Sequence, residues 1–144
     1  MPSANQITTD MRKLFGRIAD MLIPAYKQFP SATAVGVHEK LLDDVLAFRP
    51  DIVESFRRGL AGIDADALSR SINDLSRDDP EAFNALTLAA SGGYYMAPEV
   101  HTVLGYPGQE SVSYNPHEVA DYLTNHMLER TMRRGPIYRP TPQS

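Results

Sequence analysis

The chain contains no cysteine. Disulfides, zinc–thiolate sites, iron–sulfur clusters and cysteine nucleophiles are therefore excluded together. It also lacks a basic surplus. With 14 Lys and Arg against 18 Asp and Glu, the formal net charge is −4. A general affinity for nucleic acid needs a concentrated cationic surface, so none is expected. No apolar run approaches the ~20 residues of a membrane-spanning helix. Met1 to Asp10 is polar and lacks the basic stretch and apolar core of a secretory signal. Arg57-Arg58 lies mid-chain inside a helical pattern. The expectation is a cytoplasmic protein, or one exported while bound to a signal-bearing partner. Glycines are present, but no glycine-rich fingerprint follows a strand, so neither a dinucleotide-binding motif nor a phosphate loop is visible. A nucleophile elbow is likewise missing.

What is there is ordinary globular material. Of 144 residues, 42% are hydrophobic and 22% charged, a balance that folds rather than staying disordered. The length fits one domain, and residues 1–144 are expected to form a single helical domain. Thr8 or Thr9 can cap a first helix carrying Ile7, Met11, Leu14, Phe15, Ile18 and Leu22 at helical spacing. Pro24 stops it, and Tyr26 to Ser31 reads as a loop. A second helix carries Val37, Leu41, Val45 and Phe48 on one face. A third runs over Asp51 to Leu60 with Ile52, Val53, Phe56 and Leu60 inward. Asp64 is a candidate N-cap for a fourth, with Leu68, Ile72 and Leu75. Asp79-Pro80 opens a fifth, a capping acid followed by a first-turn proline, and Gly92-Gly93 is expected to end it. Asn115-Pro116-His117-Glu118 starts a last helix that runs to about Arg134, with Val119, Tyr122, Leu123 and His126 on one stripe. The prediction is thus an all-α fold of about five to six helices in one compact bundle.

Two segments stand outside that bundle. Residues 91–114 read as a long irregular loop rich in glycine, proline and tyrosine, holding Tyr94, Tyr95, Tyr106 and Tyr114, with a short helix from Pro98 to Leu104. Residues 135–144, with Pro136, Pro140 and Pro142, read as an extended tail. Tyrosine joins a large contact area to a hydrogen-bonding tip and is enriched at interfaces. Long loops are commonly functional. The loop therefore reads as a protein–protein interface ahead of a small-molecule site.

The histidines point to no metal. His38-Glu39 would begin a zinc-helix motif, but Leu42 stands where a second histidine is needed. His117 and His126, nine residues apart, fall on opposite faces of one helix. His117 and Asp121, at i and i+4, can pair on a helix surface. They would act as an acid–base pair only beside a pocket. Arg130, Arg133, Arg134 and Arg139 make a basic C-terminus, suited to the helix dipole or to an acidic partner surface, with Ile137 and Tyr138 offered to a groove.

Three pieces of the chain carry a family likeness. They are Ala19-Asp20-Met21-Leu22-Ile23-Pro24-Ala25; Phe83-Asn84-Ala85-Leu86-Thr87-Leu88 running into Gly93-Tyr94-Tyr95-Met96-Ala97-Pro98-Glu99-Val100; and Leu104-Gly105-Tyr106-Pro107-Gly108. With them the chain resembles the gluconate 2-dehydrogenase subunit 3 family, small helical subunits of flavin-dependent dehydrogenases. The likeness is loose over most of the chain and closer from Phe83 to Gly108. It implies a large partner subunit of the glucose–methanol–choline oxidoreductase type, which holds FAD and oxidises an alcohol group on a sugar or sugar acid. A cytochrome c subunit often takes the electrons. The small subunit supports folding, stability or export of the large one. The twin-arginine signal with which many members begin is absent here. On this reading the chain itself has no catalytic, cofactor-binding or metal-binding residue, and the docking residues are Tyr94, Tyr95, Met96, Tyr106, Tyr138 and Arg139. Two other readings stay open. One is a stand-alone helical enzyme with His117, Asp121 or His101 as acid–base group. The other is a self-associating ligand-binding module.

Overall fold

The computed structural model describes residues 7–111, 115 and 121–137, the side chains of Asp121 and Leu123 excepted. The fold is all-α, with no named strand among the described residues. Where one domain was expected, the chain divides into two compact units, Met1–Gly108 and Gln109–Ser144.

Among its described residues the first unit holds six α-helices. Helix α1, Thr9–Leu22, opens on Thr8, whose hydroxyl accepts from the Met11 amide at 3.3 Å. It ends at Ile23, before Pro24, as the sequence predicts. Helix α2 is Lys40–Phe48 and α3 is Val53–Ala61, with a 3-10 turn over Pro50–Ile52 between them. Helix α4 is Leu68–Asp78. Asp64 does not cap it directly, because the helix starts four residues later. The Asp64 carboxylate instead accepts from the Asp66 amide at 2.9 Å in the preceding turn. Helix α5, Pro80–Met96, starts as predicted: Asp79 accepts from the Ala82 amide at 3.0 Å, and Pro80 holds the first helical position. Helix α6 is Pro98–Leu104, the range read from the sequence.

Two further local expectations fail in this unit. The double glycine does not end α5, which continues through Ser91–Met96. Each glycine costs about 1 kcal/mol in a helix, but here Gly92 faces α2, and Gly93 faces α2 and the turn before it. A Cβ on Gly92 would lie 3.5 Å from Val45, and one on Gly93 would lie 3.2 Å from Val37. Packing against α2 keeps the helix going until Pro98 forces Ala97 into an extended conformation (ψ 127°). The irregular loop is accordingly shorter than 91–114. The second failure is Phe48, predicted inward but exposed; α2 buries Leu42, Val45 and Leu46 instead.

Helix α5 is the centre of this unit. Helices α1, α2, α3, α4 and α6 all pack on it. Its buried positions are mainly small: Ala82, Ala85, Ala89, Ala90 and Gly93, with Leu86 and Tyr94. Around it Phe15, Ile18, Val37, Leu42, Phe56 and Val100 are fully buried, and the Phe15 and Phe56 rings meet edge to face at 5.0 Å. Arg58 on α3 reaches the Asp79 carboxylate at 2.6 Å, tying α3 to the residue that caps α5.

The second unit, among its described residues, holds two short helices, α7 (Asp121–Thr124) and α8 (Glu129–Arg134). The predicted continuous helix is broken at Asn125–Leu128. The Asn125 side chain accepts from the Met127 amide at 3.0 Å, and His126 takes a left-handed φ of 64°. An Asx turn of this kind competes with helix propagation. Tyr122 and His126 are exposed rather than on a buried stripe. Tyr114, the Pro116-His117-Glu118 start signal, Val119 and the tail from Tyr138 onward lie outside the described residues.

The closeness of α3 to α5 gives an expected outcome with opposite signs at two glycines. A Cβ at Gly59 would sit 3.1 Å from Leu86 and 3.2 Å from the Ala82 carbonyl. Gly59→Ala is therefore expected to lower stability by about 1–3 kcal/mol despite better helix propensity. Gly92→Ala, with only ordinary contact at 3.5 Å, is expected to raise it by up to about 1 kcal/mol. Urea unfolding of the two variants checks both signs.

Candidate interaction surface

Helix α1, the turn after it and the end of α5 are tied together by half-buried hydrogen bonds. Asp20, in the last turn of α1, accepts from the Thr33 amide at 2.8 Å and from the Thr33 hydroxyl at 2.5 Å. It thus serves as a cap, from a distance, for the 3-10 turn Thr33–Val35. Partial burial acts to raise the Asp20 pKa, but the hydrogen bonds from Thr33 and Ser31, with His38 nearby, outweigh it and hold the carboxyl below its ordinary range. The Ala32 amide donates to the Ile23 carbonyl at 3.2 Å, and Tyr26 and Phe29 exchange backbone bonds at 3.0 and 2.9 Å. This tight turn puts Lys27 at a left-handed φ of 52° and pushes the Tyr26 ring into solvent, 66% exposed.

Helix α5 reaches this loop through Tyr94. The phenol is 4% exposed and donates to the Pro30 carbonyl at 2.7 Å. Burial, with a contribution from Tyr95, raises its pKa. Successive helical side chains point about 100° apart, so Tyr95 faces outward, 59% exposed, its ring edge-on to Tyr94 at 5.7 Å. The Tyr95 carbonyl accepts from His101 Nε2 at 2.5 Å. Beyond α6 the chain closes a Schellman turn. Gly105 takes a φ of 65°, its amide donates to Thr102, and the Tyr106 amide returns to the His101 carbonyl at 2.9 Å. That turn sets Tyr106 against His101, ring centres 5.3 Å apart, with the phenol 48% exposed. The outcome is one end of the unit that presents Tyr26, Tyr95 and Tyr106 on a frame held by Asp20, Tyr94 and His101.

The residues predicted for docking thus fall into three groups. Tyr95 and Tyr106 are exposed and linked through His101. Tyr94 is a core residue whose hydroxyl is spent on Pro30, and Met96 is half-buried; burial corrects the expectation that Tyr94 offers its ring to a partner. Tyr138 and Arg139 lie outside the described residues. Sequence reasoning missed two contributors. Tyr26 falls in a loop whose composition signals no role. The Asp20–Thr33 pair was unseen, though a serine and a threonine two residues apart after a helix-ending proline are a turn signal.

Other polar groups offer little chemistry. His101, a candidate acid–base group, has its Nε2 engaged by Tyr95. His117 and the Asp121 side chain lie outside the described residues. The Ser55 hydroxyl donates to Glu81 at 2.9 Å beside a depression of about 250 Å³, but the other Glu81 oxygen is held by Arg58 at 3.2 Å. No group of three or more metal-ligating side chains occurs among the described residues.

Because the folded state depresses the Asp20 pKa, its contribution to stability is present above the ordinary value of 3.8 and is lost as pH falls through the lower folded value. Asp20→Asn is therefore expected to melt below the wild type at neutral pH, with the gap closing under acid conditions. A gap that stays constant from neutral pH to pH ~3 would show that the charge on Asp20 contributes nothing. Comparison with known proteins adds no family: no family model matches the chain, and no curated protein and no solved structure matches it significantly.

Proposed function

We propose that the chain is a non-catalytic accessory subunit of a flavin-dependent dehydrogenase complex. It would bind and stabilise a large FAD-containing subunit of the glucose–methanol–choline type that oxidises a sugar, a sugar acid or a related alcohol. FAD belongs to that partner, and a cytochrome c subunit is the natural electron acceptor beside it. The reading rests first on the residues that resemble the gluconate 2-dehydrogenase subunit 3 family. One geometric observation supports it. Two of the resembling segments, Ala19–Ala25 and Gly93–Val100, are distant in sequence but are joined at one end of the fold by the Tyr94–Pro30 bond and the turn leading back to Ile23. That end exposes tyrosines on a rigid frame. Rigid aromatic groups with hydrogen-bonding tips are the preferred material of protein interfaces, and fixing them beforehand reduces the ordering cost of association.

No helix among the described residues is long and apolar enough to cross a membrane.

The test begins with the tagged chain expressed in its native host. A co-purifying protein of several hundred residues with flavin absorbance is the expected result, and a colourless chain without it would overturn the proposal. Tyr95→Ala combined with Tyr106→Ala is expected to lower recovery of the flavoprotein at least tenfold, in line with the ~2 kcal/mol typical of an aromatic anchor pair, while helix content is retained. Tyr94→Phe should instead cost about 1 kcal/mol of stability by removing one buried hydrogen bond and leave recovery close to wild type.

A further inference from the structure

We propose that the second unit is a docking arm that enters a cleft on the flavoprotein, one wall acidic and the other apolar. This rests on the accessory-subunit reading and adds a second contact, separate from the tyrosine end. The arm shows too much apolar surface for a segment that stays in water. Met132 and Ile137 are 75% and 76% exposed, and Tyr122 and Met127 are also exposed. Within the arm the Met127 amide donates to the Asn125 side chain at 3.0 Å, His126 Nδ1 pairs with Glu129 at 2.6 Å, and Arg133 donates to Glu129 at 3.3 Å. Local bonds set the kink between α7 and α8, but they cover none of these apolar groups.

The arrangement on α8 says what kind of surface would cover them. Arg130, Arg133 and Arg134 stand at i, i+3 and i+4, so they share one stripe. Met132 is two residues from both Arg130 and Arg134, about 200° round the axis, and falls on the opposite face. Both faces are exposed. A flat partner surface would cover one and leave the other wet. A cleft covers both, with carboxylates facing the arginines and an apolar pocket receiving Met132. Charge points the same way. From Asn125 to Ile137 there are three arginines and a single acid, Glu129, whereas residues 1–108 carry fourteen acids against ten bases. Arginine and methionine are both enriched in protein interfaces, and arginine in particular pairs with carboxylates in two-pronged geometry. A bilayer surface fits less well: α8 has one apolar residue among six, too few to form the apolar face an interfacial helix needs.

The experiment uses the full chain and the flavoprotein with which it co-purifies, dissociated and rebound at ~0.15 M salt. Three variants are compared with wild type: R130E/R133E/R134E, M132D and R130K/R133K/R134K. All alter exposed side chains of the second unit, so Tm should not change; the charge reversal also removes the Arg133–Glu129 pair, which the lysine variant can keep, and circular dichroism reads any loss of helix that follows. The charge reversal and M132D are each expected to weaken binding at least tenfold. The lysine variant should stay within a few-fold, because it keeps the charge. Wild-type binding should weaken with added NaCl, and the charge-reversed variant should lose that dependence. Weakening by charge reversal alone would mean a flat acidic surface and overturn the cleft. If all variants bind like wild type, the arm is not at the interface, yet the accessory-subunit reading survives. A homo-oligomer lost in the variants with flavoprotein binding intact would assign the arm to a second copy of the chain and overturn the proposal. A wild-type chain that binds no flavoprotein at all would take both readings down together.

Discussion

The close approach of α3 to α5 is the constraint on which the first unit depends. A central helix can be covered by five neighbours only if its side chains are short where the neighbours cross. Helix α5 meets this with alanines and a glycine at its buried positions, and α3 meets it with Gly59, which has no room for a Cβ between Leu86 and the Ala82 carbonyl. Bulk is supplied from outside, by Phe15 and Phe56 from the flanking helices. The design trades helix propensity for proximity. Three glycines sit inside helices at contacts between helices, and the dispersion and burial gained there exceed their conformational cost.

That same constraint shapes the tyrosine end. Because α5 persists past its double glycine, Tyr94 and Tyr95 are placed by helical geometry instead of by a loop. One ring goes into the core and the other into solvent. The buried phenol then finds the Pro30 carbonyl, as a buried hydroxyl must find a partner to avoid a desolvation penalty. In doing so it holds the turn that displays Tyr26. Asp20 acts on the other side of that turn through Thr33. The exposed rings are thus backed by satisfied polar groups at each step, and a surface held in this way loses little freedom when a partner covers it.

The second unit is built differently. Its kink comes from Asn125, His126 and Glu129 within a few residues of one another, and Tyr122, Met127, Met132 and Ile137 stay outside. Such a segment has a defined local shape but no core of its own among its described residues. Helix α8 exposes an arginine stripe and a methionine on opposite faces.

Much of the fold was legible in the sequence. The all-α class, the cap at Thr8, the stop at Pro24, the Asp79-Pro80 start and the range of α6 all follow from rules that act over three or four residues: capping, proline geometry and apolar periodicity. The same local rules mislead where long-range packing intervenes. Gly92-Gly93 carries a stop signal that contact with Val37 and Val45 overrides. The tyrosine pair has an interface composition, yet only the continuation of α5 decides that Tyr95 is displayed and Tyr94 is buried. The bonds from Asp20 to Thr33 and from Tyr94 to Pro30 span 13 and 64 residues, and no local pattern announces them. Local chemistry therefore determined where most of the helices begin. Tertiary packing alone decided which tyrosines face solvent, because exposure depends on neighbours that are close in space and far apart along the chain.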